Sequence, residues 1–139
     1  MPQILTAKLS RNFTLEEFLK LKSHPDNVPG MQVVCNLTYG VATILQPVRD
    51  IIGCPIIINS GYRNPNYNES VGGVKNSQHL TGCAADIRPA RPEKFEKMVA
   101  AIKLLANYDQ LLTGKGWCHV SWAPLGIPRR DYRKDFYDK

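Results

Sequence analysis

Two side chains that bind metal ions well stand seven residues apart in the segment SQHLTGCAADI, which runs from Ser77 to Ile87. They are His79 and Asp86, and only small, apolar or hydroxyl residues separate them. A turn through Gly82 would let the chain double back so that both side chains face one point. Histidine nitrogen and carboxylate oxygen suit Zn²⁺, and a catalytic zinc site takes three protein ligands and leaves one position open. The segment therefore predicts two ligands of such a site.

The third ligand has to come from elsewhere in the chain, which contains three histidines. His24 lies in the segment SHPDNVPG, whose prolines and glycine predict a surface loop. His119 lies in WCHVSW, in the middle of a predicted strand, where a histidine faces either the core or a site. A single histidine on a strand is commonly a hydrogen-bonded core residue. The spacing alone leaves both interpretations of His119 open.

Three motifs together carry a resemblance to a known family. The chain contains Ser-Gly-Tyr-Arg at 60–63, Ser-x-His-x-x-Gly-x-Ala-x-Asp at 77–86 and Trp-x-His at 117–119. This combination resembles the M15 zinc peptidases, which include D-alanyl-D-alanine carboxypeptidases and phage L-alanyl-D-glutamate endopeptidases. The segments NFTLEEF and LQPVRD resemble the compact phage and prophage branch, so the resemblance spans nearly the whole chain.

The resemblance implies a cofactor and roles for particular residues. It implies zinc held by His79, Asp86 and His119, with Arg63 near the peptide or carboxylate oxygen of the substrate. An arginine suits that place because its planar positive charge stabilises negative charge that develops during the reaction. Three further residues are candidates for contact with the substrate: Ser77, Gln110 and Trp117.

One position departs from the family pattern. The M15 general base is typically a glutamate three residues before the last histidine, and here that position is Gly116. The neighbouring turn TGKG contains no carboxylate. Loss of a general base lowers the rate by about 10²–10⁴-fold, so either another group compensates or the protein is catalytically weak.

The register of the predicted hairpin decides which group could compensate. A two-residue turn at 114–115 places Gln110 opposite His119, where an amide orients water but accepts no proton. A three-residue loop shifts the pairing by one residue and brings Asp109 onto that face instead. Asp109 could then act as the base, and it could equally accept a hydrogen bond from a zinc-binding histidine. The sequence leaves these alternatives open, and Asp109 is the candidate base.

The elements that would position these residues follow from their hydrophobic patterns. NFTLEEFLKLK predicts a helix that begins with a capping box. Apolar residues at three- and four-residue steps predict an amphipathic helix over 31–52, ended by Gly53 and kinked or split at Pro47. PIIINS and GCAADI predict two short strands, and the long loop over 61–79 between them is expected to be functional.

The second half of the chain completes the predicted fold. Pro92 begins a third helix, and YDQLL and WCHVSW flank TGKG as a hairpin. Trp117 and Trp122 suit the core and a cleft wall equally well. We therefore predict a single α+β domain over 1–139, with a small antiparallel sheet, helices packed on it and a zinc cleft at the sheet.

Composition and cysteine spacing exclude several classes of protein. Hydrophobic residues make up 43% and charged residues 22%, as in globular domains, and no apolar run is long enough for a membrane span. The start MPQILTAKLS shows no signal peptide, so we expect cytoplasmic synthesis and action on the cell wall after release or as part of a virion. The cysteine spacing rules out CxxC motifs. Without an export signal we expect free thiols, with Cys35 and Cys54 packed in the interior.

The net charge of +6 is compatible with an anionic partner such as nucleic acid, lipid or cell wall. The sequence contains no RNA-binding signature and no glycine-rich phosphate loop, so we predict no nucleic-acid partner. Nothing in the sequence suggests more than a monomer.

Two classes of function remain open from the sequence. The first is a zinc metallopeptidase, carboxypeptidase or endopeptidase, that cuts peptidoglycan stem peptides as a bacteriophage endolysin or a virion-associated cell-wall hydrolase. The second is a module with the same fold that binds cell-wall peptides without cutting them or serves as a structural part of a virion. The missing glutamate favours the second class, whereas the intact ligand set with Arg63 favours the first. We expect the enzyme.

Overall fold

The computed structural model describes residues 7–138, and a five-stranded sheet forms its centre. The strands in chain order are β1 (Lys8–Ser10), β2 (Phe13–Thr14), β3 (Ile56–Ser60), β4 (Ala84–Pro89), β5 (Gln110–Thr113), β6 (Cys118–Ser121) and β7 (Asp131–Arg133). The central sheet has the order β3-β4-β6-β5-β7, and β1 pairs with β2 in a separate antiparallel ribbon. The α+β fold class predicted from the sequence is confirmed.

Four α-helices and several short 3-10 helices surround the sheet in the described residues. The α-helices are α1 (Met31–Gly40), α2 (Gln46–Ile52), α3 (Pro65–Ser70) and α4 (Phe95–Leu105). Short 3-10 helices lie at Leu15–Phe18, Gln78–Thr81, Pro92–Lys94 and Phe136–Asp138. The predicted capping box is present at Thr14 and Glu17, although the helix that it begins is only a 3-10 turn. No helix among the described residues has the length and apolarity needed to cross a bilayer.

The predicted helix over 31–52 is continuous but changes its winding in the middle. A π-helical turn, Val41–Leu45, joins α1 to α2 immediately before Pro47. Proline has no N–H to donate to the carbonyl four residues earlier, which is that of Thr43. Asn107 donates to this carbonyl instead at 3.2 Å, so the freed acceptor keeps a partner. The helix ends at Gly53 with φ 69°, as predicted.

The hydrophobic core lies between the long helical segment, α4 and one face of the sheet. Trp122 is completely buried in it, and its Nε1–H donates to the carbonyl oxygens of Asn36 and Gly82 at 2.8 and 3.2 Å. A side chain at Gly40 would collide with the Trp122 ring, which explains the glycine inside the helix. Trp122 is therefore a core residue and not a cleft wall.

The four cysteines are all free thiols, as the sequence predicted. Cys54 is buried, but Cys35 is exposed, so the prediction that Cys35 packs in the interior is wrong. Cys35 lies on α1, whose inner face is filled by larger apolar side chains such as Leu37.

The hairpin of β5 and β6 differs from both predicted registers. Leu112 lies opposite His119, and Thr113 lies opposite Cys118, which leaves a four-residue loop over 114–117. The Gly114 N–H donates to the Trp117 carbonyl at 2.9 Å and closes this loop. Because side chains alternate along a strand, Gln110 shares the face of Leu112 and His119.

The central sheet is mixed, whereas the sequence predicted an antiparallel one. The difference comes from β7, which pairs in parallel with β5 and which no hydrophobic pattern predicted. Beyond β7 the backbone turns at Asp135, where φ is 56°. The Asp135 N–H donates to Thr113 Oγ1 at 2.8 Å, so this turn is fixed to the hairpin. At the opposite edge of the sheet, Lys20 Nζ donates to the carbonyl oxygen of Ile58 on β3 at 2.5 Å.

Candidate metal centre

His79, Asp86 and His119 converge on one point in the structure. One ligand atom from each of them lies within 4.8 Å of those of the other two. Asp86 on β4 and His119 on β6 are directly opposite in the antiparallel pairing, so their side chains share one face of the sheet. His79 lies on the 3-10 helix Gln78–Thr81, where its N–H donates to Ser77 Oγ at 3.2 Å.

Gly82 reverses the chain between His79 and Asp86. Its φ of 75° lies in the left-handed region that favours glycine. A Cβ atom at this position would also lie 2.9 Å from the Val33 side chain on α1. Backbone conformation and close packing therefore both require glycine at this turn, which brings the two ligands to one side.

The hydrogen bonds of His79 show that the nitrogen and oxygen atoms of this cluster suit a metal ion. Its Nδ1 lies 2.6 Å from the carbonyl oxygen of Gly61, which can only accept, so Nδ1 carries the proton. In the neutral ring Nε2 then presents a lone pair, which faces Asp86 Oδ1 at 3.3 Å. His119 Nδ1 lies 3.0 Å from the same oxygen. Lone pairs that face one another repel unless a cation lies between them, and two imidazoles with one carboxylate are ligands that Zn²⁺ prefers.

The two oxygens of Asp86 face different neighbours. Oδ1 faces both histidines, whereas Oδ2 lies 3.5 Å from Nη2 of Arg63. Burial of Asp86 opposes its ionisation, but the contacts of its Oδ1 with the rings of His119 and His79 outweigh burial and hold the pKa of the carboxyl well below its usual range. Asp86 is therefore an anionic candidate ligand at neutral pH.

Arg63 is held by a hydrogen bond at each of its three nitrogens. Its Nε donates to Ser60 Oγ at 3.1 Å, its Nη1 donates to Asn68 Oδ1 at 3.0 Å, and its Nη2 faces Asp86. A side chain at Gly73 would collide with the Asn68 amide and reach within 2.9 Å of Arg63 Nη1. The guanidinium is thus fixed beside the ligand cluster before any substrate binds.

A cavity of about 590 Å³ opens onto the cluster. Its lining residues are Arg63, Gly72, Gly73, Val74, Asn76, Ser77, Gln78, His79, Asp86, Gln110, Leu112, His119, Arg129, Phe136 and Tyr137. Three of the four residues predicted to contact substrate, Arg63, Ser77 and Gln110, are among them. Within this lining only Asp86 carries a carboxylate.

Asp109, the predicted general base, lies outside this lining. Its carboxylate accepts hydrogen bonds from Nε and Nη2 of Arg129, from the Arg129 backbone N–H, and from Gln78 Nε2 at 3.1 Å. The Arg129 hydrogen bonds outweigh burial and hold the pKa of Asp109 below its ordinary value. Neither His79 nor His119 is among the hydrogen-bond partners of Asp109 within residues 7–138. Asp109 instead fixes Arg129 and Gln78 in the cavity wall.

Trp117, which the sequence analysis named as a candidate for substrate contact, also lies outside the lining. Its ring stacks on that of Tyr137, with ring centroids 4.5 Å apart, and Tyr137 lines the cavity. Burial, together with the negative charge of Asp86, raises the pKa of Tyr137 to about 12. Trp117 therefore acts on the cavity only through the ring that it supports.

The part of the cavity wall formed by Arg129, Phe136 and Tyr137 was not predicted from the sequence. They follow the last recognised motif, in a stretch whose only visible pattern is interleaved basic and acidic residues. His24, which the sequence did not predict as a ligand, stacks on Tyr67 with ring centroids 3.6 Å apart and is not part of the group formed by His79, Asp86 and His119.

Comparison with known proteins places this geometry in a family. The sequence matches the family model described as Peptidase M15 over residues 11–121. It is also similar to the zinc D-Ala-D-Ala carboxypeptidase of Streptomyces albus G, with 46% identity over 44 residues. That alignment covers 31% of this chain and 17% of the relative, so the likeness is to a small part of the relative. The match to the family model covers most of the chain, which therefore belongs to the peptidase M15 family.

Proposed function

We propose that the protein is a zinc-dependent peptidase that hydrolyses peptide bonds in peptidoglycan stem peptides. The observation that carries the proposal is the convergence of His79, Asp86 and His119 beside a fixed arginine, at the floor of a cavity. Membership of the peptidase M15 family and the likeness to a zinc D-Ala-D-Ala carboxypeptidase support it.

The proposed chemistry divides between the cofactor and the chain. Zinc held by the three ligands would supply Lewis acidity and lower the pKa of water. The Gly61 carbonyl holds His79 in the tautomer that binds metal through Nε2. Arg63 presents a positive charge whose position is fixed by Ser60 and Asn68, and a preorganised charge of this kind stabilises an oxyanion without reorganisation.

The proposed substrate is a cell-wall peptide, bound by a monomer without nucleic acid. The positive net charge suits an anionic wall because opposite charge raises the local concentration and the rate of encounter. We further propose that the protein acts as an endolysin or a virion-associated cell-wall hydrolase of a bacteriophage, after synthesis in the cytoplasm.

A second candidate function rests on one specific observation. The cavity lining holds no carboxylate besides Asp86, so no glutamate or aspartate among these residues is placed to accept a proton from water. A module that binds stem peptides through the same cavity, without cutting them, would tolerate this absence. The intact ligand set favours the enzyme, because binding alone does not need a metal beside a fixed arginine.

Purified protein incubated with defined muropeptides, with and without a chelator, tests the proposal by mass spectrometry. We expect cleavage products that disappear on chelation and return when zinc is added. The Asp86→Ala variant provides a matched control, because it removes one ligand on the cavity floor. Stem-peptide binding without cleavage by the zinc-loaded protein would instead support the binding module.

A further inference from the structure

The cavity has one wall that lies beyond the stretch matched to the peptidase family. The family match ends at residue 121, whereas Arg129, Phe136 and Tyr137 lie in the segment that follows. Phe136 and Tyr137 belong to the 3-10 helix Phe136–Asp138, directly after the turn at Asp135. The chemistry of this wall is therefore a property of this chain that the motifs do not describe.

This wall is anchored to the hairpin that carries His119. Strand β7 pairs with β5 from Gln110↔Asp131 to Leu112↔Arg133, and Gln110 Nε2 donates to Asp131 Oδ2 at 3.2 Å. The Asp135 N–H donates to Thr113 Oγ1. Backbone pairing and side-chain hydrogen bonds therefore hold the segment against the hairpin, so the wall is formed before any ligand enters.

Tyr137 is placed within this wall by two aromatic neighbours. Trp117 stacks on one side of its ring, and Phe136 meets it edge to face with ring centroids 5.0 Å apart. Such contacts fix the plane of the ring. Its hydroxyl has no hydrogen-bond partner within residues 7–138, and Tyr137 lines the same cavity as Arg63 and Asp86. A phenol is a hydrogen-bond donor at neutral pH, so the wall offers one unused donor.

We propose that Tyr137 contacts the substrate and donates a hydrogen bond from its phenol to a carbonyl or carboxylate oxygen of the bound peptide. This inference rests on the proposed function, because it assigns a residue to the same site. The stem peptide supplies suitable acceptors along its whole backbone. Arg63 and Tyr137 would then both donate hydrogen bonds to the peptide. Arg63 belongs to the family motif, and Tyr137 belongs to the 131–138 segment.

The test compares the wild type with Tyr137→Phe and Tyr132→Phe, all loaded with zinc. Tyr137→Phe keeps the ring and its stack on Trp117 but removes the donor. Tyr132 is a matched control on the same segment, since its ring lies under Lys103 Nζ at 4.2 Å and does not line the cavity. We measure kcat and KM on a muropeptide, the Kd of the peptide by calorimetry, and zinc content.

We expect kcat/KM to fall about tenfold in Tyr137→Phe, as for a lost hydrogen bond to a polar ligand, with zinc content unchanged and Tyr132→Phe equal to wild type. Equal kcat/KM in Tyr137→Phe and wild type would overturn the inference, and so would loss of zinc from Tyr137→Phe. If the wild type binds peptide but does not cut it, the peptidase proposal fails while a weaker Kd in Tyr137→Phe still supports the inference. If the wild type neither binds nor cuts, both fail.

Discussion

The floor and the outer wall of the cavity are built in different ways. The floor consists of His79, Asp86 and His119, which are largely buried and stand on two paired strands and a glycine-terminated turn. The outer wall consists of Arg129, Phe136 and Tyr137, which are more exposed and depend on a parallel edge strand for their position. The centre of the sheet thus sets the geometry of the floor, whereas the edge strand β7 and side-chain pairs together set the geometry of the wall.

This difference indicates that the floor and the wall have different roles. Metal ligands tolerate little displacement, so they belong on rigid, buried elements. Residues that contact a ligand can stand on a peripheral segment. Changes on the floor should therefore abolish metal binding and activity together, and changes in the wall should alter activity while the metal stays.

The largest effect is expected from Asp86→Ala. The variant removes the carboxylate that faces both histidines and leaves Arg63 without its anionic partner. We expect zinc content to fall from one equivalent to less than about a tenth, because a structural or catalytic site needs its full ligand set. Metal analysis of protein purified with and without added zinc measures this. Full zinc content in the variant would contradict the assignment of the floor.

The next effect is expected from Arg63→Lys, which keeps the charge but loses the fork that reaches Ser60 and Asn68. We expect kcat to fall about 10²-fold or more, as for loss of one oxyanion donor, with zinc retained. Steady-state kinetics with metal analysis checks it. If kcat is unchanged and only KM rises, Arg63 contributes to binding of the substrate and not to its reaction.

A moderate effect is expected from Asp109→Asn, which tests the support behind the wall. The neutral amide cannot hold Arg129 through paired charge, so we expect a loss of roughly 1–3 kcal/mol in the free energy of unfolding, with unchanged zinc and reduced kcat/KM. Denaturant unfolding and steady-state kinetics measure the two effects. If Asp109→Asn lowers kcat and Arg129→Gln does not, Asp109 takes part directly in the reaction.

The difference in the free energy of unfolding between wild type and Asp109→Asn should depend on pH with a definite sign. The folded-state pKa of Asp109 is lowered from its ordinary value of 3.8, so the ionised form stabilises the folded protein. The stability advantage of wild type over Asp109→Asn should be fully present above that ordinary value and should be lost as the pH falls through the lowered pKa. Unfolding curves across the acid range follow it. An advantage that persists in strong acid would show that charge is not its source.

The smallest effect is expected from Ser77→Ala, at the junction of floor and wall. Ser77 Oγ accepts the His79 N–H at the start of a 3-10 helix, so its loss should cost about 1 kcal/mol of stability. Thermal unfolding measures this cost, and we expect zinc content to stay the same. A rise in KM would show that Ser77 also binds substrate, as the sequence predicted.

The sequence predicted the floor well because the physical requirements of that region are local. Gly82 needs a left-handed conformation, and His79 and Asp86 stand on either side of it, so a short segment carries most of the information. His119 required the family resemblance, since a strand histidine by itself is ambiguous. The α+β class followed from helical and strand periodicity in the same direct way.

The wall could not be predicted because its contacts join segments with no shared pattern. The hairpin register depended on a four-residue loop that packs Trp117 against Gly114. The three-residue loop, one of the two predicted, placed Asp109 on the face of His119, whereas the observed register places Gln110 there. Arg129 is far from Asp109 in sequence, so nothing local indicated that the carboxylate was already paired. Residue spacing in the sequence does not reveal which side chains are already paired by a tertiary contact.

Strand β7 has a second consequence, for the behaviour of the protein in concentrated solution. An unpaired strand edge is a template for another chain, and natural sheets protect their edges with lysines or with covering segments. Lys20 occupies the β3 edge, and β7 covers β5 at the other. A variant in which β7 detaches, such as one with proline in place of Tyr132, would expose the β5 edge while dismantling the cavity wall. Resistance to aggregation and the shape of the cavity therefore both depend on β7.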